Sequence, residues 1–354
     1  MKNKIPVGIL GATGAVGQRF VQLLETHPWF RVAALSASER RVGQPYGEAC
    51  PWTLDGDMPE GVRDLTLRAP TAEALACPLV FSALPSNVAG PIEEDLARAG
   101  VAVCSNVASH RLDPDVPLLI PEVNPDHLAL IPIQQRRRPW PGLLVTSANC
   151  TSIPTALVLR ALDEAVGVRH VHLVTLQALS GAGYPGQPAL DIIDNVLPYI
   201  LGEEAKLERE PRKMLGRMVT DHIEEAPFPI SAQCNRVAVK DGHLVCMSIA
   251  LRRPASVEEV SELLRGYRGR VDGLGLPSSP RPLIVVREEP DRPQPRRDRD
   301  AGRGMAVTVG RIQPCPVNDV RLVALSHNTV RGAAGGAILN AELLVAEGLV
   351  EASR

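Results

Sequence analysis

The chain has 354 residues, 45% hydrophobic and 22% charged, with a net charge of -2. This is an ordinary globular balance, long enough for two hydrophobic cores. It carries no electrostatic footprint for nucleic acid or an anionic membrane, and 3% aromatic residues leave few rings for a base-stacking surface. No uninterrupted apolar run is long enough to cross a bilayer. The cysteines number 7, none in a CxxC pair, which fits reduced thiols in a cytoplasm. Met1 to Pro6 leads into a strand within a few residues and leaves no room for a signal peptide.

Pro6 to Leu10 is a short buried strand. Gly11-Ala12-Thr13-Gly14-Ala15-Val16-Gly17 follows at once, and Val16, Phe20, Leu23 and Leu24 then recur at helical spacing up to Pro28. Strand, glycine turn and helix form the context of a dinucleotide-binding fingerprint, here spaced GxxGxxG. Gly11 makes the tight turn, Gly14 admits a pyrophosphate, and Gly17 packs helix on strand. The helix N-terminus favours the phosphate charge. A second strand, Arg31 to Leu35, ends in Ser36-Ala37-Ser38-Glu39-Arg40-Arg41. Hydroxyls followed by arginines suit a ribose 2′-phosphate, so NADP is favoured, with Glu39 leaving NAD open.

Leu79 to Leu84 is a buried strand through Ser82, and the Pro85-Ser86-Asn87 turn after it lines the cofactor cleft. A helix from Ile92 to Ala99 and a strand from Val101 to Cys104 continue the alternation of a doubly wound parallel sheet. The basic stretch from Gln134 to Gly142 is expected to form a hairpin or surface loop. Past residue 150 the pattern becomes that of an α+β unit with a mixed sheet. Its strands fall at Val171–Gln177, Arg236–Val239, Leu244–Leu251, Leu283–Arg287 and Met305–Ile312. Its helices fall near Ala189–Leu201 and Val257–Arg265. Glu288 to Arg303, rich in charge and proline, is expected as a surface loop or an arm reaching a partner subunit. A last helix opens near Asn328, runs to about Glu347, and is expected to pack back on the first unit.

The chemistry centres on Cys150. Leu143-Leu144-Val145 leads in, and an amphipathic run from Thr155 to Val166 leads out. Thr151 or Ser152 supplies a cap, Pro154 suits the first turn, and Gly167 stops the helix. A cysteine at such a helix start is expected to be biased toward thiolate by the helix dipole. The competing reading is a cysteine buried as a small inert hydrophobe. Asp241-Gly242 is a hairpin signal that folds His243 back beside the strand carrying Arg236. There Arg236 can clamp a carboxylate while His243 trades protons. The competing reading is a surface hairpin of ordinary polar residues.

Gly11 to Gly17, Asn149-Cys150-Thr151, Gln177 to Gly183, Arg236 to His243 and Asn328 to Ala334 occur in the order seen in aspartate-semialdehyde dehydrogenases. Asp113 to Asn124 and Gly304 to Arg311 strengthen the match. The chain resembles the archaeal and fungal branch of that family over nearly its whole length. The resemblance implies NADPH-dependent reduction of L-4-aspartyl phosphate to L-aspartate 4-semialdehyde, on the route to lysine, threonine, methionine and isoleucine. It implies Cys150 as the nucleophile that forms a thioacyl intermediate, His243 as acid/base and Gln177 as the residue orienting that intermediate. Arg236 then binds the α-carboxylate, Glu203 the ammonium, and Lys206 with Arg111 the phosphate, with Asn149 assisting. The implied cofactor set is Gly11, Thr13, Gly14, Ala15, Val16, Gly17, Ser36, Ser38, Arg40, Ser82, Leu84, Pro85, Ser180, Gly181, Gly183 and Asn328, with no metal. The expected division is a Rossmann-type NADP-binding domain over 1–149, completed by a C-terminal helix at about 327–354, and a catalytic and dimerisation domain over 150–326. Homodimers or homotetramers are implied. The chain departs from the family pattern at Ser147-Ala148, Pro154 and Ala238. A malonyl-CoA reductase of the same fold and a non-catalytic nucleotide-binding regulator stand as alternatives. Glu203, of use only to an amino-acid substrate, argues against the first, and the intact reactive set against the second.

Overall fold

The computed structural model describes residues 4–351. Met1–Asn3 and Ala352–Arg354, the outer ends of the first domain as delimited above, lie outside the described residues. Seven strands form the first sheet: β1 (Ile5–Leu10), β2 (Phe30–Ser36), β3 (Leu67–Arg68), β4 (Leu79–Ser82), β5 (Ala102–Ser105), β6 (Leu118–Leu119) and β7 (Leu143–Ser147). Their order is β3-β2-β1-β4-β5-β7-β6, and every pairing is parallel. Among them β4, β5 and β7 are buried at every residue, as strands covered on both faces must be.

Among the described residues, six helices have ten or more residues: α1 (Ala15–Leu24), α2 (Ser86–Arg98), α3 (Ser152–Ala165), α4 (Glu203–Met214), α5 (Val257–Gly266) and α6 (Gly335–Ala346). Helix α6 returns to the first sheet, as expected. It is buried through Leu344 and joins α1, β1 and β7 in one apolar core. Its entry is a π-helical turn, Val330–Ala334, rather than a regular start at Asn328.

The remaining strands are β8 (Val168–Gln177), β9 (Arg217–Val219), β10 (His222–Glu224), β11 (Ile230–Arg236), β12 (His243–Leu251), β13 (Ile284–Val286), β14 (Val307–Pro314) and β15 (Val320–Ser326). β9 and β10 form a small antiparallel hairpin. The other six make a mixed sheet in the order β11-β8-β12-β15-β14-β13. β8 and β11 alternate between buried and exposed positions, so one face of this sheet packs on the core and the other stays open. The buried face meets the apolar sides of α3 and α5.

Three expectations fail. Arg236 and His243 are not joined by a hairpin: β8 lies between β11 and β12, pairing parallel with one and antiparallel with the other. The 237–242 segment crosses the end of β8 instead, where the amides of Leu179 and Ser180 donate to the carbonyls of Val239 and Lys240. The Gln134–Gly142 stretch is not a hairpin. It starts within a helix, Ile131–Arg137, whose buried Gln134 exchanges hydrogen bonds with Leu144 of β7. The helix expected over 189–201 lasts one turn, Ala189–Ile192, before Asp194 takes a positive φ and Pro198 interrupts the chain. The Glu288–Arg303 segment is mostly exposed, as expected of a surface loop, and it is tied to its own chain. Arg287 and Arg292 close on the buried carboxylate of Asp298, and Arg299 donates to the carbonyl of Asp241.

Candidate active site

A cleft of about 1100 Å³ runs between the two sheets. One end lies at the glycine turn after β1. Gly11 has φ +70°, and a Cβ there would stand 2.5 Å from the carbonyl oxygen of Ala83, so only glycine fits this crossing of β1 and β4. Thr13, Gly14, Ala15 and Val16 line the cleft at the start of α1, with Leu84 and Pro85 opposite. This is the crevice at the carboxyl ends of β1 and β4, where the strand order reverses. Its cradle of backbone amides, its size and its helix start fit a dinucleotide.

Some of the expected cofactor residues line the cleft and others do not. Ser36 and Ser82 are fully buried in the sheet, with hydroxyls that find no partner and do not reach the cleft. Ser38 and Arg40 are outside the lining as well, whereas Arg41 is part of it. A short 3-10 turn, Glu39–Arg41, follows β2 and turns that side chain inward. Sequence reading also missed Gln18. Its amide donates to Thr13 O and Pro51 O while its oxygen accepts from Thr53 N, tying the 51–53 segment over α1. Gln18 stands one helical turn after Gly14, which was the available signal. Ser180, Gly181, Gly183 and Asn328 line the far side. Asn328 donates to Ser180 Oγ at 2.8 Å and accepts from Gly242 N at 2.8 Å, so it holds the glycine-rich turn to the crossover.

Cys150 lies where expected, between the end of β7 and the start of α3. The cap differs. Neither Thr151 nor Ser152 caps with its side chain. Asn149 Oδ1 instead accepts from Thr151 N at 2.9 Å and from Thr151 Oγ1 at 2.6 Å. The π turn before α6 presses on the nucleophile from the other side. A Cβ on Gly332 would come within 2.6 Å of Cys150 Cβ. The thiol is not biased toward thiolate. Burial first and the Glu203 carboxylate second push it up to about 12, against the pull of Arg111 and Arg236. The helix dipole is local and modest, whereas desolvation of an anion is not.

Helix α4 brings Glu203 and Lys206 to the cleft. Glu203 accepts from Lys206 Nζ at 2.7 Å and from Asn149 Nδ2 at 3.0 Å. With Oδ1 on Thr151 and Nδ2 on Glu203, the Asn149 side chain is committed to holding the segment together. Gln177 and Arg236, paired in register at the ends of β8 and β11, both face the cleft. Arg236 Nη1 donates to Ala178 O at 2.8 Å, and its Nε is buried without a partner.

His243 is the exception. It is fully buried and does not line the cleft. Its Nδ1 accepts from Ala178 N at 2.9 Å, which leaves the proton of the neutral ring on Nε2. Burial, then Arg236 and His327, push its pKa down to about 3. Nε2 has no partner, and Gly181 stands beside it: a Cβ at that position would come within 3.0 Å of the ring. Among the described residues, no group of three or more His, Cys, Asp or Glu side chains could hold a metal.

A family model described as "Semialdehyde dehydrogenase, NAD binding domain" matches residues 6–131, and one described as "Semialdehyde dehydrogenase, dimerisation domain" matches residues 159–331. The aspartate-semialdehyde dehydrogenase of Archaeoglobus fulgidus is 49% identical over 97% of this chain and 99% of its own length. This chain belongs to the aspartate-semialdehyde dehydrogenase family. The family's Methanothermobacter thermautotrophicus member is 47% identical over 96% of this chain and 99% of its own. The crystal structure of the Candida albicans member with NADP superposes with a TM-score of 0.90 at 41% identity, covering 98% of this chain and all of that one.

Proposed function

We propose that the chain catalyses the family's reaction: reduction of L-4-aspartyl phosphate by NADPH to L-aspartate 4-semialdehyde and phosphate, through a thioacyl bond to Cys150. The observation that carries this reading is a single cleft. It joins a dinucleotide cradle to a cysteine flanked by two arginines, a lysine and one acidic side chain.

The geometry supports the roles that the resemblance implies. Gly14, Ala15 and the start of α1 hold the pyrophosphate, and Arg41 is placed for a 2′-phosphate. When bound, NADPH supplies the hydride. Arg236 binds the substrate's α-carboxylate and Glu203 its ammonium. Arg111 and Lys206 hold the phosphate, which draws two charges from water into a partly buried site. The thioacyl bond forms as Sγ attacks the acyl carbon, and phosphate departs with the proton that the thiol gives up. Splitting the reduction this way gives two easier steps. Amides at the start of α3 face the oxygen that gains charge. Gln177 orients the acyl group. His243, neutral with its proton on Nε2 beside Gly181, is the acid/base. At rest the raised pKa of Cys150 keeps the sulfur protonated. The cationic Arg111 and Arg236 lower it once the substrate ammonium neutralises Glu203.

The first sheet with α6 serves the cofactor, corresponding to residues 1–149 with about 327–354, and residues 150–326 supply catalysis and self-association. The open face of the second sheet, with His172, Val174, Cys246 and Val323, supports pairing of two subunits there. Among the described residues no helix is long and apolar enough to cross a membrane, and we place the enzyme in the cytoplasm. The covalent step is tested by mass spectrometry. Enzyme mixed with aspartate semialdehyde and NADP, without phosphate, accumulates an aspartyl adduct on the Cys150 peptide. An adduct on another residue, or none, refutes the role of Cys150.

A further inference from the structure

Helix α4 carries four charged side chains at positions 203, 206, 210 and 213, spaced to share one face. The first two reach the cleft. The other two lie behind it and are buried, although burying such charges is costly unless each is paired. Glu210 spans two parts of the site. Its Oε1 accepts from Arg111 Nη1 at 3.0 Å and its Oε2 accepts from the backbone N–H of Asn149 at 2.6 Å. One carboxylate therefore touches both the arginine assigned to phosphate and the peptide leading into Cys150. Arg111 is also fixed by its Nη2, which donates to Asn106 O at 2.7 Å.

Lys213 completes the arrangement. Its ammonium donates to the carbonyls of Arg111 at 2.9 Å, Asp113 at 2.7 Å and Val116 at 2.8 Å. All three of its protons are used on one loop. The same loop is gripped from the opposite side by Arg138, whose guanidinium meets Asp113 at 2.7 Å and Asp115 at 2.8 Å. A loop that only had to cover a core would not need a buried ammonium on its carbonyls and a guanidinium on its carboxylates. Together these contacts allow Arg111 one position relative to Sγ.

We propose that Glu210 and Lys213 are positioning residues for the phosphate step. Glu210 sets the distance between Arg111 and the nucleophile, and Lys213 holds the 111–116 loop on which Arg111 rides. The inference rests on the assignment of Arg111 to phosphate. It predicts a selective defect. In the direction of aspartate semialdehyde oxidation, hydride transfer forms the thioacyl enzyme before phosphate is needed. Phosphate then attacks the acyl carbon, the C–S bond breaks and the thiolate is released. Only this second half requires a well-aimed Arg111.

In Glu210→Gln the amide oxygen still accepts from Asn149 N–H, while its NH2 faces the Arg111 guanidinium. The test is rapid-mixing and steady-state kinetics of the full-length enzyme with inorganic phosphate as the varied substrate. A hydrogen bond to a charged group is strong enough that KM for phosphate should rise roughly tenfold or more, with KM for aspartate semialdehyde changed by less than about twofold. The initial burst of NADPH should persist. Lys213→Met should give the same split, and it serves as the second variant if Glu210→Gln does not fold. An unchanged KM for phosphate, or loss of the burst together with every other constant, overturns the proposal. Arg111→Leu is the control. If it leaves KM for phosphate unchanged, the assignment of Arg111 fails. If it raises KM while neither Glu210→Gln nor Lys213→Met does, the positioning role alone fails.

Discussion

Gly332→Ala should cripple the nucleophile without touching it chemically. The added Cβ would stand 2.6 Å from Cys150 Cβ and 3.0 Å from Cys150 Cα. Carbon atoms in ordinary contact sit about 3.5–4.0 Å apart, so roughly 1 Å must be found. The π turn cannot readily retreat. Its Arg331 makes two 2.8 Å hydrogen bonds to Glu122, and both side chains are buried. Breaking that pair costs about 3–5 kcal/mol, more than the 1–3 kcal/mol typical of overpacking. The displacement therefore falls on Cys150. A shift of about 1 Å at a reacting atom costs on the order of a hundredfold in rate. Steady-state kinetics should show kcat down by about that factor, while a calorimetric scan shows a drop of only a few degrees and titration shows unchanged NADP affinity. A folded variant with kcat within about threefold of the parent would refute the idea that the π turn sets the position of the sulfur.

Three further predictions follow from the charges. Arg331→Met strands Glu122 and should cost about 3–5 kcal/mol in denaturant unfolding, and adding Glu122→Gln should recover most of it; a single-variant loss below about 1 kcal/mol contradicts the buried pair. The imidazole of His243 protonates near 6.5 in the unfolded chain but only at about 3 in the fold, so its contribution to stability is complete above pH 6.5 and shrinks as pH falls toward 3. That slope approaches about 1.4 kcal/mol per pH unit near pH 5, and His243→Gln should flatten it by this amount; equal slopes would argue against the buried neutral ring. Cys150 in the cofactor-free enzyme should alkylate far more slowly at pH 7 than an unperturbed cysteine, with the rate still climbing above pH 9, because its pKa is pushed up to about 12. A plateau below pH 8 would show the helix dipole outweighing burial.

Much of the site was legible because its signals are local. A glycine turn between a strand and a helix specifies its own conformation, and so does a cysteine before a proline-started helix. The pairing of β8 between β11 and β12 was not legible. Asp241-Gly242 encodes a chain reversal, but nothing near it records that a third strand lies between the two it joins. The state of Cys150 was misread for a related reason: its helix is adjacent in sequence, while Glu203 comes from elsewhere in the chain. Helix α4 went unnoticed because Pro211 sits inside it and its mean character is charged. With it went Glu210 and Lys213, whose partners lie between 61 and 102 residues away. Arg40 and Arg41 could be separated only by the turn that follows β2.

The most direct test is a spectrophotometric assay of the purified enzyme with aspartate semialdehyde, phosphate and NADP, with NAD and malonyl-CoA reactions in parallel. The account predicts NADPH formation that requires phosphate and is lost in Cys150→Ala, which still binds the cofactor. NADPH formation that is indifferent to phosphate, or turnover of malonyl-CoA alone, would contradict it.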